Sequence, residues 1–196
     1  MESPDIVLAL KPVAKAFDEL SVPYYVGGSI ASSVYGIARA TMDVDIVADL
    51  TLAQVPALVG LLRREYYVPE EMIHDAVANA SSFNLIHLST MMKLDVFIAK
   101  KDAYHQSAIA QKRPDRLVEE DPDSVFFLSS PEDVILSKLR WYEDAGRVSE
   151  RQWLDILGVI KVQGDSLERD YLIHWSSTLG VRDLLQRAFS ESGITL

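Results

Sequence analysis

The sequence predicts an α/β (α+β) protein in which a mixed sheet flanked by helices is followed by a lobe built only of helices. Up to residue 128, short apolar runs typical of strands alternate with segments whose apolar residues have helical spacing. From Ser129 onward, every segment has helical spacing. We therefore expect a first domain at 1–128 and a C-terminal helical lobe at 129–196.

The elements up to residue 65 are bounded by residues that start or stop helices, such as Ser, Thr, Pro and Gly. They are a helix over 4–20 capped by Ser3 and ended by Pro23, a strand over 24–26, a helix over 30–35 stopped by Gly36, a strand over 44–48, and a helix over 52–65 capped by Thr51.

Partial alternation of polar and apolar residues in FNLIHL and KLDVFIA predicts two half-buried strands joined across Ser89 to Met92. The acidic run Glu119-Glu120-Asp121, which extends to Asp123, is interpreted as a solvated loop. The predicted elements of this part are strands over 83–87 and 93–99, a helix over 103–111, and a strand over 125–128.

The helical lobe begins at a strong helix start, Ser130-Pro131-Glu132-Asp133, with Ser as the cap, Pro at the first position and acids in the first turn. The predicted helices run over about 132–145, 150–163, 166–179 and 182–190.

Composition excludes several classes of protein. The chain has no cysteine, which excludes disulfides, thiolate metal sites and cysteine nucleophiles. Its formal net charge of −10 disfavours binding to long nucleic acids, which attract basic surfaces. The first residues lack the pattern of a signal peptide, and no apolar stretch approaches the ~20 residues of a membrane span. We expect a cytoplasmic protein with no membrane partner, and the oligomeric state stays open.

Two aspartates interrupt an apolar strand. Asp43 and Asp45 are two residues apart, so their carboxylates point to one face while Val44 and Ile46 point into the core. Adjacent carboxylates repel unless they share a cation, and Mg²⁺, or Mn²⁺ in its place, prefers such oxygen ligands. If the strand carrying Asp95 lies beside this one, three carboxylates converge, as two-metal nucleotidyl transfer requires. Asp95 would then also be the general base.

A glycine-rich turn precedes the predicted helix over 30–35. Gly27 and Gly28 allow phosphates to approach the backbone, and the free N–H groups at a helix N-terminus favour anions. The hydroxyl of Ser29 adds one hydrogen bond. Arg39, which precedes the acids, could contact a triphosphate or form an ion pair with Asp43.

Together these motifs resemble the nucleotidyltransferase superfamily related to DNA polymerase β, whose signature is hydrophobic-Gly-Gly/Ser, a spacer, then Asp-hydrophobic-Asp/Glu-hydrophobic. The match lies on Val26-Gly27-Gly28-Ser29 and Asp43-Val44-Asp45-Ile46. Thr41 matches the Arg/Thr position before the pair of acids. The resemblance implies that the glycines and Ser29 bind nucleotide phosphates and that Asp43, Asp45 and Asp95 hold the metals.

The helical lobe resembles AbiE-type toxins and related minimal nucleotidyltransferases of bacteria. The similar segments are Ser130 to Leu139 and Arg151-Gln152-Trp153-Leu154-Asp155-Ile156. The resemblance implies that Lys138 reaches the triphosphate, and that Asp155 orients Lys138 or contacts the substrate.

Each site residue also has a structural interpretation. Asp43 and Asp45 could form a solvated strand end, and Asp95 could pair with Lys93 on the same face. Lys138 could be an ordinary surface lysine, and Asp155 could pair with Arg151 four residues earlier.

The functional prediction is a Mg²⁺-dependent transferase that moves a nucleoside monophosphate from a nucleoside triphosphate to a hydroxyl and releases pyrophosphate. The acceptor is open and could be a protein, a tRNA end or a small molecule. One alternative is a catalytically silent nucleotide-binding or toxin–antitoxin partner-binding module. Another is a phosphotransferase or nuclease that uses the same acids.

Overall fold

The structure is a computed structural model that describes residues 4–41, 43–118, 121 and 124–196. The strands are β1 (Tyr24–Val26), β2 (Asp43–Ala48), β3 (Tyr66–Tyr67), β4 (Ser82–His87), β5 (Lys93–Ile98), β6 (Arg113–Arg116) and β7 (Val125–Leu128). The helices are α1 (Asp5–Glu19), α2 (Gly28–Tyr35), α3 (Val55–Leu62), α4 (Glu70–Asn79), α5 (Ala103–Gln111), α6 (Pro131–Asp144), α7 (Glu150–Gln163), α8 (Arg169–Thr178) and α9 (Arg182–Ser192), with 3₁₀ turns at Leu52–Gln54 and Gly164–Ser166.

Every predicted element is present, and several helices have shifted ends. The predicted helix over 52–65 begins as a 3₁₀ turn and ends at Leu62. The one predicted over 30–35 starts earlier, at Gly28, and the one over 166–179 starts at Arg169. The predicted cap Ser3, the motif residue Met42, and Glu119, Glu120 and Asp123 of the acidic run lie outside the described residues.

Two compact units make up the chain. The first comprises Met1–Gly27 and Thr41–Leu128, and the second comprises Gly28–Ala40 and Ser129–Leu196.

The first unit contains a seven-stranded mixed sheet in the order β3-β4-β5-β2-β1-β7-β6. β2 and β5 are parallel neighbours near its centre, while β1 pairs antiparallel with β2 and parallel with β7. Apolar residues of alternate positions fill the core, because successive strand residues face opposite sides. The hydroxyl of Tyr66 donates to the carbonyl of Ala9 at 2.6 Å, which fixes the edge strand β3 to α1.

The second unit is a bundle of α2 with α6–α9, in which α7 contacts α2, α6 and α9. The predicted start of α6 is confirmed, since Ser130 Oγ accepts the Asp133 N–H at 3.1 Å and Pro131 is the first helical residue. A Cβ on Gly36 would lie 2.9 Å from the backbone nitrogen of Val159, so only glycine permits this approach of the segment after α2 to α7. None of the helices in the described ranges is long and apolar enough to cross a membrane.

Candidate active site

The carboxylates on β2 and β5 lie on one face of the sheet. In the parallel register, Asp43 is opposite Lys93 and Asp45 is opposite Asp95. Val44 and Ile46 of β2 are fully buried, which leaves the aspartates on the other face. The prediction that the strand of Asp95 lies beside that of Asp43 and Asp45 is therefore confirmed.

Lys93 lies among these carboxylates. Its ammonium is 2.8 Å from Asp95 Oδ2 and 3.8 Å from Asp43 Oδ1. The hydrogen bond to Asp95 raises the pKa of Lys93, against an opposing effect of burial, and the charges of Asp95, Asp43 and Asp45 raise it further. The structural alternative in which Asp95 pairs with Lys93 is present, and it supplies positive charge beside the adjacent carboxylates.

The same pairing bears on metal binding. Among the described residues, no three carboxylate or imidazole side chains are arranged to coordinate one ion. The two parallel strands place the carboxylates side by side, and one oxygen of Asp95 is already in contact with the Lys93 ammonium. The donors still fit Mg²⁺, which binds hard oxygen ligands and is commonly held by one or two carboxylates plus phosphates. The Lys93 ammonium is itself a cation that lies beside the carboxylates of Asp95 and Asp43.

Gly27 and Thr41 donate hydrogen bonds to the backbone carbonyls of Asp45 and Asp43. The N–H of Gly27 donates to the carbonyl of Asp45 at 2.9 Å, which continues the β1–β2 pairing past Val26. The hydroxyl of Thr41 donates to the carbonyl of Asp43 at 3.2 Å. These contacts fix the backbone from which the carboxylates project.

In the second unit, α2 begins at Gly28, whose φ of 54° lies in the left-handed region that glycine adopts without strain. Ser29 follows in the first turn, and its hydroxyl accepts a hydrogen bond of 2.5 Å from Arg39 Nη2. A guanidinium is thus held beside the N-terminus of a helix, where backbone N–H groups already favour anions.

Asp155 on α7 forms ion pairs with two cations, Arg39 and Lys138. Its carboxylate accepts hydrogen bonds from Nε and Nη2 of Arg39, both at 3.0 Å, and from Lys138 Nζ at 2.8 Å. Burial raises the pKa of Asp155, but the hydrogen bonds and charges of Arg39 and Lys138 outweigh it, and the pKa lies below its ordinary value. Asp155 therefore holds the guanidinium of Arg39 and the ammonium of Lys138 together in one ion-pair network.

Two structural alternatives for this network are wrong. Lys138 is not a surface lysine, because its side chain is only 5% exposed. Asp155 pairs with Arg39 and Lys138 on other segments, so the predicted pairing with Arg151 does not account for its position. Sequence reasoning also missed Gln152, whose side-chain oxygen accepts from Lys138 Nζ at 2.9 Å. The sequence signal that could have indicated Gln152 is its position one helical turn before Asp155 on α7, which puts the two side chains on the same face.

No family model and no curated protein sequence matches the chain. Its fold is similar to that of ANT(2'')-Ia in complex with adenylyl-2''-tobramycin, with a TM-score of 0.57 and 14% identity over 91% of this chain and 99% of that one. It is also similar to an antigenic nucleotidyltransferase-like protein from Paracoccidioides brasiliensis, with a TM-score of 0.58 and 17% identity over 97% and 94%.

A third structure, the lincomycin-bound lincosamide antibiotic adenylyltransferase LnuA, gives a TM-score of 0.50 and 13% identity over 83% of this chain and 99% of that one. The fold is therefore nucleotidyltransferase-like, with a mixed seven-stranded sheet, flanking helices and a C-terminal helical region. The likeness to AbiE-type toxins stays a prediction from the sequence.

Proposed function

We propose that this protein is a Mg²⁺-dependent nucleotidyltransferase that transfers a nucleoside monophosphate from a nucleoside triphosphate to an acceptor hydroxyl. The observation that carries the proposal is the parallel register of β2 and β5, which sets Asp45 opposite Asp95 and Asp43 on the same face. A nucleotidyltransferase-like fold with carboxylates placed in this way supports that chemistry over a general binding role.

The reaction forms a bond between the acceptor oxygen and the α-phosphorus, and it breaks the bond from that phosphorus to the oxygen bridging to the β-phosphorus. Pyrophosphate leaves with that bridging oxygen. Asp95 takes the proton of the acceptor hydroxyl, and Asp43 and Asp45 provide oxygen ligands for Mg²⁺. When bound, the metal neutralises the charge of the triphosphate and favours departure of pyrophosphate.

Residues of the second unit suit the triphosphate. The first N–H groups of α2, at Gly28 and Ser29, are free of helical partners by geometry and favour phosphate oxygens. Arg39 is fixed beside Ser29 and offers a planar set of donors. Lys138 lies in the same ion-pair network and adds positive charge.

The nucleotide donor and the classes of acceptor are the variables that the test compares. ATP is the first donor to try, because the similar structure of ANT(2'')-Ia holds an adenylylated product. The acceptors to compare are small hydroxylated compounds such as tobramycin and lincomycin, a tRNA with an intact 3′ end, and protein side chains including those of this chain.

The test is transfer of label from [α-³²P]NTP to each acceptor class, with and without a chelator, together with assay of the released anion. Labelled product with stoichiometric pyrophosphate, abolished by the chelator, supports the proposal. Release of inorganic phosphate or nucleoside diphosphate would instead identify a phosphotransferase or hydrolase. Nucleotide binding with no labelled product in any class would favour the catalytically silent module.

A further inference from the structure

We propose that Lys93 is a built-in counter-cation that competes with divalent metal for the carboxylates of Asp43 and Asp95, so that metal binds weakly until nucleotide arrives. The inference rests on the proposed function, because it concerns the same carboxylates. In this proposal Lys93 controls how readily a metal ion binds the carboxylates, in addition to pairing with them in the sheet.

The geometry supports competition. The ammonium of Lys93 is in hydrogen-bond contact with Asp95 Oδ2 and only 3.8 Å from Asp43 Oδ1, so it lies between carboxylates of two neighbouring strands. An ion that takes these oxygens as ligands must displace the ammonium or lie close to it. Either event opposes binding, through a lost charge-assisted hydrogen bond or through repulsion between cations.

The side chain is able to move aside. Lys93 is 43% exposed, and its four-carbon stem can turn the ammonium into solvent. Asp95, in contrast, is 17% exposed and is held within a paired strand. Displacement therefore changes the lysine rotamer and leaves the carboxylate in place.

Nucleotide changes the balance. A triphosphate brings its own oxygen ligands and negative charge, which offset the loss of the Lys93 contact and compensate the repulsion. Metal and nucleotide consequently bind with positive coupling. When neither ligand is present, Lys93 offsets part of the negative charge of these carboxylates.

A matched control exists in the same unit. Lys101 also forms a lysine–aspartate ion pair, with Asp49 just after β2, but this pair lies outside the group of Asp43, Asp45 and Asp95. A Lys101→Met variant removes an ammonium and an ion pair of the same kind without changing the counter-charge of the carboxylates.

The experiment titrates Mn²⁺ into the full-length protein without nucleotide and counts free Mn²⁺ by electron paramagnetic resonance. Lys93→Met and Lys93→Gln should bind Mn²⁺ more tightly than wild type by a factor on the order of ten, given the repulsion between an ammonium and a divalent ion a few ångströms apart. Lys93→Arg should stay near wild type because it keeps the charge, and so should Lys101→Met. Circular dichroism checks that each variant is folded.

The outcomes separate this inference from the proposed function. If Asp45→Asn abolishes Mn²⁺ binding while Lys93→Met and Lys93→Gln leave the affinity unchanged, the metal site stands and the role of Lys93 is overturned. If Lys101→Met tightens binding as much as Lys93→Met does, the effect is one of net charge and the inference also fails. Absence of Mn²⁺ binding in wild type and in both neutral variants would overturn the role of Lys93 alone, because the proposed function requires metal at these carboxylates only together with nucleotide.

Discussion

Asp45 on β2 and Asp95 on β5 occupy the same register position of two parallel strands, and both side chains are half-buried. Parallel pairing keeps residues of equal register on one face of the sheet, so the two carboxylates cannot avoid each other by turning to opposite sides. A cation is the simplest way to relieve their repulsion. In this structure Lys93 provides it for Asp95, and in the proposed reaction Mg²⁺ does so for the group.

Replacement of Asp45 tests the role of this pair. Asp45→Asn should lower nucleotidyl transfer by at least about 10²-fold, because the amide is a much weaker metal ligand and even groups behind the ligands are worth 10–100-fold. The melting temperature without metal should change by no more than about 2 °C, since one like charge is removed from a half-buried position. Steady-state kinetics and thermal melts measure the two effects.

Asp49→Asn is the matched control for that variant. Asp49 follows the same strand and pairs with Lys101, away from the other carboxylates. Its activity should stay within about twofold of wild type, as expected for a surface ion pair. Equal loss of activity in both variants would contradict the assignment of Asp45 as a metal ligand.

The second unit depends on a close helix approach at Gly36. Gly36→Ala would place a Cβ 2.9 Å from the carbonyl oxygen of Ser32 and from the nitrogen of Val159. We expect a loss of about 1–3 kcal/mol in the free energy of unfolding, as for overpacking. Gly60→Ala, in the middle of α3 with nothing within 4 Å of the added Cβ, should instead gain about 0.5–1 kcal/mol. Urea denaturation of both variants checks the opposite signs.

The ion-pair network around Asp155 should be sensitive to loss of its carboxylate. Asp155→Asn removes the carboxylate that lies 2.8 Å from the ammonium of Lys138, whose side chain is only 5% exposed. Breaking a buried pair in this way costs about 3–5 kcal/mol, which urea denaturation at neutral pH would show. Asp165→Asn removes an exposed ion pair with Arg169 in the same unit and should leave the denaturation midpoint unchanged. Similar midpoints for the two variants would contradict a structural role for Asp155.

The same network predicts a pH dependence of stability. The pKa of Asp155 is lower in the folded protein than its ordinary value of 3.8, so the folded state favours the ionised carboxylate. Its contribution is fully present above that ordinary value and is lost as the pH falls through the lower folded pKa. The difference in stability between wild type and Asp155→Asn should therefore be constant from pH 5 to 7 and should shrink below about pH 4. A difference that shrank between pH 5 and 7 would contradict this assignment.

Sequence patterns predicted the elements that carry apolar residues at regular spacing, and they missed those that do not. β6 reads Arg-Pro-Asp-Arg and pairs antiparallel with β7 at one edge of the sheet. β3 has two residues, and α4 buries only Ile73 and Ala76 among ten residues. Such segments lack a periodic apolar face, which is the signal that sequence analysis uses.

In the candidate site, too, features set by local sequence were predicted and those set by distant contacts were not. Spacing on one strand predicted that Asp43 and Asp45 share a face, because that property is local. Lys138 donates hydrogen bonds to Asp155 and Gln152 of α7, and Asp155 also pairs with Arg39, which is 116 residues away in the chain. No local pattern predicts contacts over such separations, so the resemblance to known transferases had to suggest Lys138 and Asp155.

The most direct test of the central claim is a thermal-melt panel of wild type and Asp45→Asn with ATP, CTP, GTP and UTP, each with and without Mg²⁺. A ligand at about 100 times its dissociation constant adds roughly 2.7 kcal/mol, which raises the melting temperature of a chain of this size by several degrees. We expect such a shift for at least one nucleotide, only with Mg²⁺, and not in Asp45→Asn. No shift with any nucleotide, or an equal shift in Asp45→Asn, would contradict a metal-dependent nucleotide site at these carboxylates.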